Sequence, residues 1–296
     1  MQVSNGNKSV KQLRSIQRNN GSHWVGNGFP VRTLFSYSQF GSALSPFLLL
    51  DYAGPTTFPP TKERLGVGEH PHRGFETVTI VYEGEVEHRD SSGGGASIGP
   101  GDVQWMTAAS GVVHEEFHGS GFAQRGGAFE MVQLWVNLPA RDKMTTPHYQ
   151  GILSKQIPVV TLPDNQGSVR VIAGEFAGET GPAKTFSPIH LWDMRLNGNQ
   201  SIEIELPEAY TTALVVLKGA IKINDSEAIH VAEFGLPDRA GETIRINTID
   251  DAIVLLLSGE PINEPIVGSG PFVMNTAEEI REAMRDYQSG KMGQLS

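Results

Sequence analysis

The sequence predicts an all-β protein built from two antiparallel β-barrel domains of jelly-roll-like form, with one short helix near the C-terminus. Three observations predict it. Short runs rich in β-branched and aromatic residues recur along the chain, cut by turns drawn from 34 glycines and 18 prolines. No helical period of apolar residues appears before residue 276. The same rhythm resumes after a polar, proline-punctuated stretch at 139–163, so the chain divides into a first domain at 1–138, a crossing segment at 139–163 and a second domain at 164–296.

Residues 1–25 are polar and are expected to start irregularly, with Lys8, Lys11, Arg14, Arg18 and Arg32 as solvated charges. Residues 30–37 and 46–52 have β character, and the proline- and glycine-rich stretch at 54–68 reads as a loop. A strand at 75–82 reaches Glu83-Gly84-Glu85, a short link that predicts a hairpin returning through 86–89. Turns at 91–95, 98–102, 108–111 and 119–127 separate strands at 103–107, around His114, and at 129–138. Strand signals resume at 169–176, 189–196, 202–206, 213–217, 220–223, 233–236, 243–246 and 252–258. Lys218-Gly219-Ala220 takes the place in this second series that Glu83-Gly84-Glu85 takes in the first. Thr276-Ala277-Glu278-Glu279 is a capping box, and Ile280, Ala283, Met284 and Tyr287 form the apolar stripe of a helix expected to face the core.

Composition narrows the function. With 33 acidic against 23 basic residues the formal charge is −10, which argues against direct contact with nucleic acid. The absence of cysteine excludes disulfides and thiolate metal ligation. Neither an apolar signal core nor a membrane-length apolar run is present, so a cytoplasmic protein is the expectation; oligomeric state is not encoded in these features, and a monomer is the default. No GxGxxG follows a strand, and no GxxxxGK[ST] run or GxSxG elbow exists.

The chemistry gathers instead in two short stretches. His70-Pro71-His72 supplies two imidazoles two residues apart, and His114-Glu115-Glu116 an imidazole and a carboxylate at the same spacing. In extended chain, residues i and i+2 share a face. Brought together, His70, His72, His114 and Glu116 would make a site for a borderline divalent metal: iron, zinc, nickel, manganese or cobalt. Pro71 cannot donate a ladder hydrogen bond, which places this pair at a strand edge or start. Glu115 would replace Glu116 if a bulge slipped the register by one residue. His118 shares the parity of His114 at the strand end, whereas His88, beside Arg89 and Asp90, reads as solvated. Glu76 stands either behind the metal or on the surface. Phe47, Phe75, Trp105, Met106 and Phe129 are candidates for an apolar pocket, although aromatic strand residues are more often plain core. Trp105 and Met106 point to opposite faces, so at most one reaches the cavity. The second half holds only His190 and His230 after the crossing segment and cannot rebuild three imidazoles.

Three runs carry a family resemblance: His70-Pro71-His72-Arg73-Gly74-Phe75-Glu76-Thr77-Val78; Gly99-Pro100-Gly101-Asp102-Val103-Gln104-Trp105-Met106-Thr107-Ala108; and His114-Glu115-Glu116. Together with Gly270-Pro271-Phe272-Val273-Met274-Asn275-Thr276, they resemble the pirin family of the cupin superfamily from about residue 30 to about residue 293. The resemblance implies a bicupin, two barrels facing each other, with iron held in the first by His70, His72, His114 and Glu116. Bacterial members of the family are associated with quercetin 2,3-dioxygenase activity. Animal relatives are nuclear cofactors of transcription that sense iron redox state. For this chain the resemblance implies a dioxygenase that uses Fe(II), or in its place Zn, Ni, Mn or Co. It would act on a small aromatic substrate and dioxygen, with Glu116 as the proton acceptor and no direct nucleic-acid or membrane partner. The alternative is a redox-sensing iron protein that acts through a protein partner without turnover.

Overall fold

The computed structural model describes residues 8–19 and 21–295; the irregular start expected for residues 1–25 falls outside the described residues at 1–7 and at Asn20. Strands dominate, every paired strand runs antiparallel, and the chain forms two compact units. One unit contains Asn19–Ile157, Pro182–Ser187 and Ile262–Ser296, and the other Met1–Arg18, Pro158–Gly181 and Pro188–Pro261. These units are not the contiguous segments 1–138, 139–163 and 164–296. Leu13–Arg18 pairs with Glu233–Pro237, more than 200 residues later in the chain, so the first strand is part of the unit that holds most of the second half. There Lys11 is buried, not solvated, and its Nζ donates to the Arg239 carbonyl at 2.7 Å. The crossing segment is not a plain linker either: His148–Ile152 and Val159–Thr161 each supply an edge strand, one to each unit.

Each unit pairs a seven-stranded sheet with a four-stranded sheet. In the unit holding the histidine pairs, the large sheet runs His148–Ile152, Val103–Thr107, Phe75–Glu83, Gly127–Asn137, Phe47–Phe58, Phe29–Ser36, His23–Val25. Its small sheet runs Gly66–His72, Val112–His118, Val86–Asp90, Gly95–Ile98. The other unit repeats this order strand for strand, with Ser201–Glu205 and Thr243–Thr248 in the places of Gly66–His72 and Val112–His118. In those places Ile202 lies opposite Ile246 and Ile204 opposite Ile244, all buried in one apolar cluster. The same topology is thus filled with isoleucine in one unit and with imidazole in the other.

Glu83-Gly84-Glu85 does not close a hairpin. Phe75–Glu83 and Val86–Asp90 lie in different sheets, so the link is a corner where the chain changes sheet. Gly84 makes the corner at φ +87°, where a Cβ would stand 2.7 Å from the Phe129 ring. Gly219 makes the corresponding corner of the other unit at φ +72°.

The C-terminal helix, Ala277–Gln288, starts with its capping box formed: Glu279 N–H donates to Thr276 Oγ1 at 3.2 Å, and Thr276 N–H donates to Glu279 Oε2 at 2.8 Å. Ile280 and Ala283 pack with Val113, Phe272, Met274 and Met292. Met284 and Tyr287, expected in the same stripe, are exposed because the apolar contact covers a narrower face of the helix. Thr276→Ala is expected to lower stability by about 1 kcal/mol, read as a shift in the urea midpoint at constant slope. Among the described residues no helix is long and apolar enough to cross a membrane.

Candidate metal centre

Gly66–His72 and Val112–His118 pair so that His114 lies opposite His70 and Val112 opposite His72. The three imidazoles therefore meet. Ring centroids are 4.3 Å apart for His70 and His114, 4.8 Å for His72 and His114, and 4.9 Å for His70 and His72. One ligand-capable nitrogen from each lies within 4.8 Å of the other two, and no other such group of three occurs among the described residues. The chain leaves His72 through Arg73 and a corner at Gly74 with φ +91°. Lys143 fastens that corner from within, donating to the Gly74 carbonyl at 2.6 Å, Asn137 Oδ1 at 2.7 Å and the Val273 carbonyl at 2.9 Å. Burial brings its pKa down to about 7.

Between His114 and Glu116 the register shifts, leaving Glu116 opposite Val67. The irregularity does not turn the face over. Glu116 still points between the sheets, where Gln133 Nε2 donates to Oε2 at 3.0 Å and to Oε1 at 3.3 Å, and Thr79 Oγ1 lies 3.5 Å from Oε1. Burial raises its pKa, against the pull of the His70 charge and of those two donors. Glu115 faces the other way, where Arg64 donates to it at 2.7 Å and Arg89 at 2.5 Å. Burial works upward on Glu115, but the two guanidiniums win and hold it below the usual range.

The donors suit a cation. His70 Nδ1 lies 2.8 Å from the Gly68 carbonyl; with the proton on Nδ1, Nε2 carries the free lone pair. His72 Nδ1 and both ring nitrogens of His114 are buried without a hydrogen-bond partner. Desolvation, reinforced by the neighbouring imidazoles, pushes both side chains well below the ordinary histidine pKa, so they are neutral σ donors at pH 7. Buried nitrogens left unpaired are costly, and a borderline divalent metal would satisfy them.

The remaining candidates divide by face. Phe75 packs against His72 at 5.1 Å and against Trp135 at 4.3 Å. Met106, opposite Thr77 in the ladder, lies on the inner face, and Tyr149 Oη donates to its sulfur at 2.9 Å. Phe129 is deeper, stacked on His118 at 4.7 Å in an aromatic cluster. His118 Nε2 lies 2.8 Å from the Gly28 carbonyl, remote from the three imidazoles. Phe47, Trp105 and Glu76 point to the opposite face of the large sheet: Glu76 lies opposite Thr107 and Val136, Trp105 opposite Val78, and Phe47 opposite Val136. Thr107 Oγ1 donates to Glu76 at 2.7 Å, and burial pushes its carboxyl up to about 7. His88 is buried rather than solvated. It pairs with Glu116 across the small sheet and stacks on Tyr149 at 4.9 Å, and burial lowers its pKa to about 4.

Sequence reasoning missed Thr79, Gln133, Trp135 and Tyr149. A parity signal existed for two of them: Gln133 and Trp135 alternate with Val132, Leu134 and Val136, so a polar and an amphipathic residue share one face of a buried strand.

Comparison with known proteins identifies the family and the fold. The family described as Pirin matches residues 28–136, and that described as Pirin C-terminal cupin domain matches residues 191–293. A Pseudomonas aeruginosa protein provisionally named a quercetin 2,3-dioxygenase is 54% identical over 282 residues, covering 95% of this chain and 98% of that one. Human Pirin is 35% identical over 263 residues, covering 84% of this chain and 83% of that one. The crystal structure of a quercetin 2,3-dioxygenase from Acinetobacter baumannii superposes with a TM-score of 0.95 at 53% identity, covering 97% of this chain and 100% of that one.

Proposed function

The chain belongs to the pirin family, and on that premise we propose that it is a metal-dependent dioxygenase that opens flavonols such as quercetin with release of carbon monoxide. The observation that carries the reading is the convergence of three imidazole nitrogens within 4.8 Å, a group that Glu116 does not join, with the buried Glu116 carboxylate two residues after His114 on the same strand. His70, His72, His114 and Glu116 would hold the ion. Fe(II) is the assignment, and Zn, Ni, Mn and Co suit the same donors. When bound, the ion supplies Lewis acidity that lowers the pKa of a substrate hydroxyl and, as iron, redox chemistry toward dioxygen.

The rest is work for the chain. His72 and His114 stay neutral because they are buried, which keeps their lone pairs available at pH 7. Glu116 accepts the proton of the flavonol 3-hydroxyl on a carboxylate oxygen. Gln133 Nε2 and Thr79 Oγ1 keep that carboxylate in place, and its burial strengthens its hold on the proton. Phe75 and Trp135 wall the site beside His72 and keep water from the activated heterocycle. Dioxygen then adds across C2 and C4, and C3 leaves as carbon monoxide with a depside as the second product.

The test is metal analysis of protein purified without added metal, then an anaerobic titration with quercetin. A shifted flavonol absorption band, with oxygen uptake once air is admitted, supports the reading. An unshifted band and no oxygen consumption with any of the five metals would falsify it.

A further inference from the structure

The space between the two sheets of the metal-site unit is layered. At the level of the imidazoles the large sheet presents Leu49, Trp135, Thr77, Met106 and Tyr149, neighbours across successive strands. Two residues further along each strand lies a polar row: Thr33, Asp51, Gln133, Thr79 and Gln104. Beyond it Val31, Ala53, Met131 and Val81 make an apolar floor. A polar row in a barrel interior is costly to bury unless its members are paired. Most of it is paired: Thr33 Oγ1 donates to Asp51 Oδ1 at 2.6 Å, and Gln133 and Thr79 serve Glu116.

Gln104 is the exception. It is 2% exposed, and neither its amide nitrogen nor its amide oxygen has a hydrogen-bond partner. It neighbours Thr79, the residue that reaches Glu116. On the facing sheet, His88 lies opposite Glu116 with its Nδ1 buried and unpartnered. An amide with donor and acceptor both idle, on the inner face next to the Thr79 that reaches Glu116, matches a group that both donates and accepts. A hydroxyl does both. An apolar ligand would leave both atoms unpaired, a penalty that makes such sites discriminate strongly.

We propose that Gln104 is a specificity-determining residue that reads a second hydroxyl of a polyhydroxylated aromatic ligand, one lying from the metal along the Thr33–Gln104 row. This rests on the flavonol reading above and deepens it: the ligand must carry a hydroxyl remote from the pair of oxygens that meets the metal.

The test compares two probes with native protein and Gln104→Met, by anaerobic titration of the flavonol band and of tryptophan fluorescence. Quercetin carries remote hydroxyls, whereas 3-hydroxyflavone keeps only the metal-facing oxygens. Gln104→Leu is carried alongside, and both variants are checked for native metal content and melting temperature. The expected result is that quercetin binds the variants about tenfold more weakly, the loss of one hydrogen bond, whereas 3-hydroxyflavone changes less than about threefold. Saturating kcat with quercetin stays near native, because Gln104 does not meet the reacting atoms. Equal weakening of both probes, or of neither, overturns the assignment of Gln104 while flavonol binding stands. Native protein that binds neither probe removes both the flavonol reading and this inference.

Discussion

His114→Ala is expected to strip the protein of metal and of any metal-dependent turnover. His114 lies 4.3 Å from the His70 ring and 4.8 Å from the His72 ring, is fully buried, and has both ring nitrogens unpaired. Loss of residues that merely orient ligands costs 10–100-fold in metal affinity, so loss of a ligand itself should exceed about 100-fold. The thermal signature is as informative as the metal content. Native protein should melt higher with metal than with chelator, by the free energy of ligand linkage, about 2.7 kcal/mol at a hundredfold excess over Kd. The variant should show no such difference. In chelator it should be destabilised only modestly, because the cavity it creates is offset by removal of two unsatisfied buried nitrogens. Stoichiometric metal in purified His114→Ala protein would refute the assignment of this residue as a ligand.

Asp286→Ala should produce the largest loss of stability among single substitutions near the site, about 2–4 kcal/mol. Arg73, next to His72, donates from both terminal nitrogens to Asp286 Oδ2 at 3.0 Å and is buried. Removing the carboxylate leaves that guanidinium buried without a counter-charge. Arg73→Met should cost less, since Asp286 keeps Lys291 at 2.7 Å and lies nearer to solvent. The pair also predicts a pH effect of defined sign. Lys291 first, and then Arg73 against the opposing effect of burial, holds the Asp286 pKa below its ordinary 3.8. A depressed carboxylate pKa means the stabilisation is complete above that value and is lost as pH falls below it. Urea midpoints of native and Asp286→Ala protein should therefore differ most above pH 4 and converge as the medium becomes more acid. A constant gap across that range would contradict the ion-pair account.

Much of the centre was legible because strand parity is a local property. His70, His72, His114 and Glu116 follow from a two-residue period, and the three imidazoles do converge. Parity fails where the chain turns. Continuing the alternation through Arg73 and Gly74 puts Glu76 near the metal, but the corner at Gly74 starts a new strand in the other sheet, and Glu76 comes out on its far face. Arg89 and Asp90 beside His88 suggest a solvated histidine in the sequence, yet His88 and Asp90 are both buried, and His88 lies opposite Glu116 on another strand. Lys11 and the first strand were illegible for a related reason: their partners are more than 200 residues away, and nothing local encodes a contact that distant. The repeated architecture was visible as rhythm. What fills it, isoleucine in one unit and imidazole in the other, was visible only as a shortage of histidines in the second half.

The interleaving of the two units along the polypeptide has a practical consequence. No single cut yields two self-sufficient pieces. A protein ending at residue 157 would lack Ile262–Ser296, and with it Asp286, the Val273 carbonyl that Lys143 uses, and the helix that packs on Val113. A fragment beginning at residue 158 would lack the edge strand Leu13–Arg18. Minimal metal-binding versions of this molecule would have to be built by rejoining segments in a new order, not by truncation.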